Sequence, residues 1–196
     1  MTGEPAQTPF DGRAWLAEVT RQYRRYKTTC ERAAEQVPPA LLFETVGRIH
    51  LSVGALLKHL AGNHRSRWRD FLTTDGEKPD RHRDGEFVGA GETPESVRRQ
   101  WDEGWRITFA TLESLGPDDL GKTVTIRGEP HTVVQAIQRN LTHLAYHTGQ
   151  IVQLARHFAG DDWQTLSIPP GESEAHNARK REKWGDWSQV DEDGAV

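Results

Sequence analysis

Cysteine is almost missing from this chain. Cys30 stands alone among 196 residues, which excludes an internal disulfide and any zinc site built on paired cysteines. Long apolar runs are missing too. No stretch approaches the ~20 apolar residues that span a bilayer, and the opening MTGEPAQTPFDGR lacks the basic-then-apolar pattern of a secretory signal. The expectation is a cytoplasmic protein with no membrane partner. Positive charge is not in excess: the formal net charge is −4 and the pI about 6.1, which argues against a nucleic-acid partner. Alternating strand patterns are scarce.

What remains is helical periodicity. Trp15, Val19, Tyr23, Tyr26, Cys30 and Val37 fall on one stripe, and Pro38-Pro39 ends it. Val53, Leu56, Leu57, Leu60 and Trp68 predict a second helix from about Thr45 to Phe71. A polar stretch, TTDGEKPDRHRDGEF, follows it and is too long for a simple turn. The third helix starts where Thr93 can cap and Pro94 fits the first turn. It continues through Val97, Trp101, Trp105, Phe109 and Leu112 to Gly116-Pro117. KTVTIRGEPHT reads as a small extended or hairpin-like piece. The fourth helix runs from about Val133 to Phe158, before Gly160. Four such helices predict an all-α four-helix bundle over about 13–160, with a long irregular connection between helices two and three. An irregular C-terminal extension over about 161–196 completes a single domain. A homodimer is one expectation, with Trp184 and Trp187 as anchors.

The chemistry gathers around HLAYHTGQI. His143 and His147 are four residues apart and share a helix face. With nine histidines in 196 residues, chance supplies about 0.4 such pairs, so spacing alone is weak. The stretch lacks the glutamate of H-E-x-x-H, so a zinc peptidase is a poor fit. Leu144 and Ile151 set the pair beside the buried stripe, where unpartnered imidazoles would cost a few kcal/mol. A divalent cation or helix-to-helix hydrogen bonds would each compensate. His59, in LLKHLAGN on the second helix, is a candidate third ligand, and Ala61 and Gly62 after it permit close approach by a neighbouring helix. Asn63 can face the same cavity or make a helix-end hydrogen bond. Arg67 can meet an anionic substrate or pair with Asp70 or Asp75. Gln150 can orient a ligand or bridge helices. Asp75 and Glu77 are candidate acid-base groups, although Asp75-Gly76 also suits a turn. His50, His64, His82, His131, His157 and His176 read as surface or loop residues.

HLAGNHRSRWRDFLTTDGEKPDRHRDGEF together with HLAYHTGQI resembles the DinB/YfiT-like superfamily of metal-binding four-helix bundles, nearest a bacterial, largely uncharacterised branch. The likeness covers roughly Thr45 to Ser173, including IRGEPHTVVQAIQRNL and LSIPPGES. His82 departs from the asparagine usual there, and Leu51 from the asparagine usual near the start of helix two. The resemblance implies a divalent metal, zinc or nickel, on His59, His143 and His147. It also implies an enzyme acting on a small molecule: a metal-dependent hydrolase, or a transferase with a low-molecular-weight thiol as cosubstrate. The general acid or base is not assigned. A noncatalytic metal-binding or stress-response protein, and a structural or partner-binding bundle, are the alternatives.

Overall fold

The computed structural model describes residues 10–48 and 50–185. Trp187, one of the two expected dimer anchors, lies outside them, as does the side chain of Trp184. The chain divides into two compact units between Asp162 and Trp163. The first unit holds four long helices: α1 (Gly12–Ala34), α2 (Val53–Trp68), α3 (Pro94–Ser114) and α4 (Val133–Ala159). It also holds an antiparallel hairpin, β1 (Thr123–Ile126) with β2 (Glu129–Thr132), in which Val124 faces His131. No helix among the described residues is long and apolar enough to cross a membrane.

Each of these four long helices begins where a side chain satisfies otherwise free amides. The Asp11 carboxylate accepts from Arg13 and Ala14, and the Ser52 hydroxyl accepts from Ala55. Thr93 with Ser96, and Thr132 with Gln135, form reciprocal capping boxes. The Ser52 cap explains why α2 is shorter than its apolar pattern suggests. Gly47 adopts a φ of +58° upstream of it, and beyond Trp68 the chain turns extended at Arg69 and left-handed at Asp70.

α2 packs along α3 and also meets α4, whereas α1 packs along α4. The α2–α3 approach is close: a Cβ on Gly104 would lie 2.9 Å from the Ala61 carbonyl oxygen. Ala61 therefore meets a helix as the sequence suggests, while Gly62 accommodates the connection instead. The core is aromatic. Trp68, Trp101, Trp105 and Tyr23 are almost fully buried, and Tyr23 meets Trp68 and Trp105 edge-on. Asn140 on α4 ties three helices at one point. Its side-chain oxygen accepts from the Tyr23 hydroxyl at 3.0 Å and the Trp68 indole at 3.2 Å, and its Nδ2 donates to Asn63 Oδ1 at 2.8 Å.

The connection after α2 is pinned to the hairpin. The hairpin turn places Arg127 and Gly128 both at positive φ, the backbone of a tight two-residue loop. The Asp75 carboxylate accepts from both of their amides, at 2.8 and 2.9 Å, and from the Glu77 amide at 2.7 Å. Asp75 is thus a turn residue. The second unit contains α5 (Ser173–Trp184), bounded by Gly171 and Gly185 at positive φ. The extension is therefore not irregular throughout, as the sequence suggests, but helical over Ser173–Trp184. SEAHNARKREKW is rich in helix formers but carries no apolar stripe, so periodicity cannot reveal it.

His64 is not the surface or loop residue expected. It is fully buried on α2, with Nδ1 bonded to the Thr108 hydroxyl at 2.8 Å and Nε2 unpartnered. Burial, and secondarily His59, pushes its pKa down to about 3. The unfolded chain takes up this proton near pH ~6.5, whereas the folded chain does not until far lower. The contribution is therefore complete above pH ~6.5. Stability falls as pH drops toward about 3, by up to ~1.4 kcal/mol per pH unit from this group. Urea unfolding across that window should show a shallower acid slope in His64→Gln. An unchanged slope would contradict a buried neutral imidazole.

Candidate metal centre

α4 carries His143 and His147 one turn apart, and α2 brings His59 up to them. One ring nitrogen from each lies within 4.8 Å of the other two. His143 Nε2 is 3.1 Å from His59 Nε2 and 3.1 Å from His147 Nε2. An imidazole tetrahedron with zinc–nitrogen bonds of ~2.0–2.1 Å has edges of about 3.3 Å, so the spacing fits a shared cation.

The outer nitrogens decide what the inner ones present. His59 Nδ1 lies 2.8 Å from Glu86 Oε2. An ionised carboxylate only accepts, so Nδ1 carries the proton and Nε2 presents a lone pair. Glu86 stays ionised despite burial, because the Arg81 guanidinium grips both of its oxygens at 2.8 Å and His59 adds a further bond. His147 Nδ1 lies 2.7 Å from Gln150 Oε1, while Gln150 Nε2 donates to the Tyr146 hydroxyl at 3.3 Å. His147 therefore also points a lone pair inward. His143 can carry a proton on Nε2 and donate it to only one of these two lone pairs, or carry it on Nδ1 and donate to neither. Its Nδ1 is buried without a partner. Either way the metal-free cluster leaves inward lone pairs unanswered, which a cation would answer. Burial, then the neighbouring His147 and His59, pushes the His143 pKa down to about 3. Burial also lowers that of His147, against the opposing Gln150 bond.

The long connection supplies the support. A 3-10 turn over Arg83–Phe87 lays Glu86 against α2 and stacks Phe87 on His59 at 4.4 Å between ring centres. Gly62 makes this possible: a Cβ there would come within 2.2 Å of Glu86 Oε1. Lys58 anchors the end of the segment, through the Val88 carbonyl at 3.1 Å and Glu92 at 2.8 Å.

A cavity of about 360 Å³ opens on the cluster, lined by His59, Asn63, Arg67, Arg81, Phe87, Ile126, Arg127, Arg139, Asn140, His143, Tyr146 and His147 among others. Asn63 lines it while accepting from Asn140. Gln150 does not line it but orients His147. Arg67 lines it and pairs with neither Asp70 nor Asp75, since backbone amides take the Asp75 carboxylate. Asp75 and Glu77 stand outside the cavity, with Glu77 bonded to Arg81 at 3.2 Å. A larger groove of about 490 Å³, with Leu42, Leu57, Val97 and Trp101, contains none of these groups. Glu86, Arg81, Phe87 and Asn140 are not found by sequence reasoning. The first three lie in an irregular segment without a period, and Asn140 reads as any polar helix residue.

A model of the family "Protein of unknown function (DUF1572)" matches residues 11–172. The chain belongs to this family. The DUF1572 match runs from the α1 cap, Asp11, to Glu172 just before α5, so it takes in all three histidines and the Arg81–Glu86 connection. No curated protein and no solved structure matches the chain.

Glu86 is the counter-charge of an almost fully buried Arg81. Glu86→Ala should therefore cost about 3 kcal/mol, the low end for a broken buried pair, because Arg81 keeps only the single contact to Glu77 at 3.2 Å. Chemical denaturation checks it, and a loss below ~1 kcal/mol would mean that the connection does not depend on this pair.

Proposed function

We propose that this chain is a metal-dependent enzyme of the DinB/YfiT-like four-helix-bundle type, acting on a small molecule in a cytoplasmic setting. His59, His143 and His147 hold a divalent cation, zinc or nickel. The reaction is a hydrolysis or the transfer of a low-molecular-weight thiol. The observation that carries this reading is the inward convergence of Nε2 lone pairs whose outer nitrogens are already engaged by Glu86 and Gln150. A histidine cluster kept for packing alone would use its inner nitrogens as hydrogen-bond donors.

A cation bound by three neutral imidazoles supplies Lewis acidity, bringing a bound water or thiol toward ionisation near neutral pH. This chain's residues do the rest. Glu86 and Gln150 fix the tautomers and raise the basicity of the ligating rings. Phe87 and Ile126 give the cavity apolar lining, and Asn63 and Arg67 offer polar contacts for orienting a substrate. The arginine-lined cavity beside the histidines favours the enzyme over a noncatalytic metal carrier, which needs no such chamber.

Elemental analysis of protein purified without a metal-affinity tag should find about one zinc or nickel per chain. The His59/His143/His147 triple alanine variant should retain none, and His157→Ala should bind as wild type. Gln150→Leu should weaken binding 10–100-fold, the usual cost of losing a hydrogen bond to a ligating histidine. Full occupancy in the triple variant would refute the site. Turnover of electrophiles with a panel of low-molecular-weight thiols, set against ester and amide hydrolysis, separates the two chemistries.

A further inference from the structure

Five arginines line the cavity and no aspartate or glutamate does, although the chain as a whole carries net negative charge. Four of the five have a counter-ion that is not part of the cavity lining. Arg81 has Glu86 at 2.8 Å, Arg139 has Glu129 at 2.9 Å, Arg127 has Glu77 at 3.4 Å, and Arg83 has Asp84 at 3.5 Å. Arg67 differs. It is only 9% exposed, yet no carboxylate lies within ion-pair distance of it among the described residues, and its Nη1 is buried without an acceptor.

An uncompensated buried charge is costly unless something else answers it. Here the fold holds the charge in place. A Cβ on Gly76 would lie 2.7 Å from Arg67 Nη1 and 2.9 Å from its Cδ, so a larger residue there would displace this side chain from its present position. Gly76 is itself fixed, its amide to the Thr125 carbonyl at 2.8 Å and its carbonyl to the Ser66 hydroxyl at 2.9 Å. Asp75, next in sequence, is withheld from Arg67 by the hairpin amides. Burial, then the neighbouring Arg81, lowers the Arg67 pKa to about 10 against the attraction of Glu77, which lies beyond ion-pair distance, so the group remains charged at neutral pH.

We propose that Arg67 is the receptor for a carboxylate on the small molecule that occupies this cavity, with the rest of that molecule directed at the three histidines. A single unanswered positive charge calls for a single negative one, and the planar guanidinium fork matches a carboxylate. A phosphate dianion would need a second free cation, and the other four arginines are paired. The proposal rests on the metal-dependent reading only for the orientation of the ligand. The carboxylate contact is independent of it.

The test uses the full chain, metal-free and zinc-loaded, with 3-mercaptopropionate and its neutral analogue 3-mercaptopropan-1-ol as probes in NMR titrations. On both forms, wild type should bind the carboxylate probe about tenfold or more tighter than the alcohol. Arg67→Met should erase that preference while leaving the affinity for the alcohol and the zinc content unchanged. The same variant, without ligand, should melt no lower than wild type, because a residue kept for structure would lower the melting point on removal. A preference that survives in Arg67→Met, no preference in wild type, a lowered melting point, or inorganic phosphate binding as tightly as 3-mercaptopropionate would each overturn the assignment. Failure to hold zinc, with the Arg67-dependent preference intact on the metal-free chain, would refute the metal reading and leave the carboxylate site standing.

Discussion

Two hydrogen bonds to the outer nitrogens of His59 and His147 determine what this protein's central cluster is. Glu86 accepts a hydrogen bond from Nδ1–H of one ring and Gln150 from Nδ1–H of the other. The inner nitrogens are left as lone pairs facing each other across His143. Without those bonds the rings could turn or change tautomer and satisfy one another. With them, the cluster is electron-rich and short of protons, and the surrounding elements hold it there. Gly62 gives Glu86 room against α2, and Arg81 keeps that carboxylate ionised.

The scaffold places rigid groups around this cluster and accepts a cost in doing so. Asn140 links α1, α2 and α4 through three neutral hydrogen bonds beneath the cavity. The Gly104–Ala61 contact draws α3 tight against α2. Around them lie groups that do not favour the fold on their own account: an unpartnered Arg67, an ion pair taken out of water at Arg81–Glu86, and an imidazole at His143 with a buried free nitrogen. Such groups concentrate where function, rather than stability, selects the residue.

Much of this is legible in the sequence, for reasons that differ by element. α1, α3 and α4 bury one face each, so their stripes and stops declare them. α3 also carries its side-chain cap, Thr93, where expected. The hairpin shows in the alternation of Val124 and Ile126. The meeting of His59 with His143 and His147 needs the family resemblance as well, because i, i+4 spacing alone arises by chance. Hidden are the features that depend on irregular backbone. The start of α2 turns on a single cap at Ser52, and α5 has no apolar period. Glu86 reaches His59 only through a 3-10 turn. The state of Arg67 was legible only in half. That it could meet an anion or pair with Asp70 or Asp75 follows from its charge and neighbours in sequence, but its lack of a partner depends on Asp75 being drawn to the hairpin amides from 52 residues away.

The most direct test of this account reads the protons themselves. Long-range ¹H–¹⁵N NMR of the metal-free protein near neutral pH should find His59 and His147 as Nδ1–H tautomers, and zinc should then shift the Nε2 signals of His59, His143 and His147 together. An Nε2–H tautomer at His59 or His147, or a zinc titration that leaves their Nε2 signals unmoved, would contradict it.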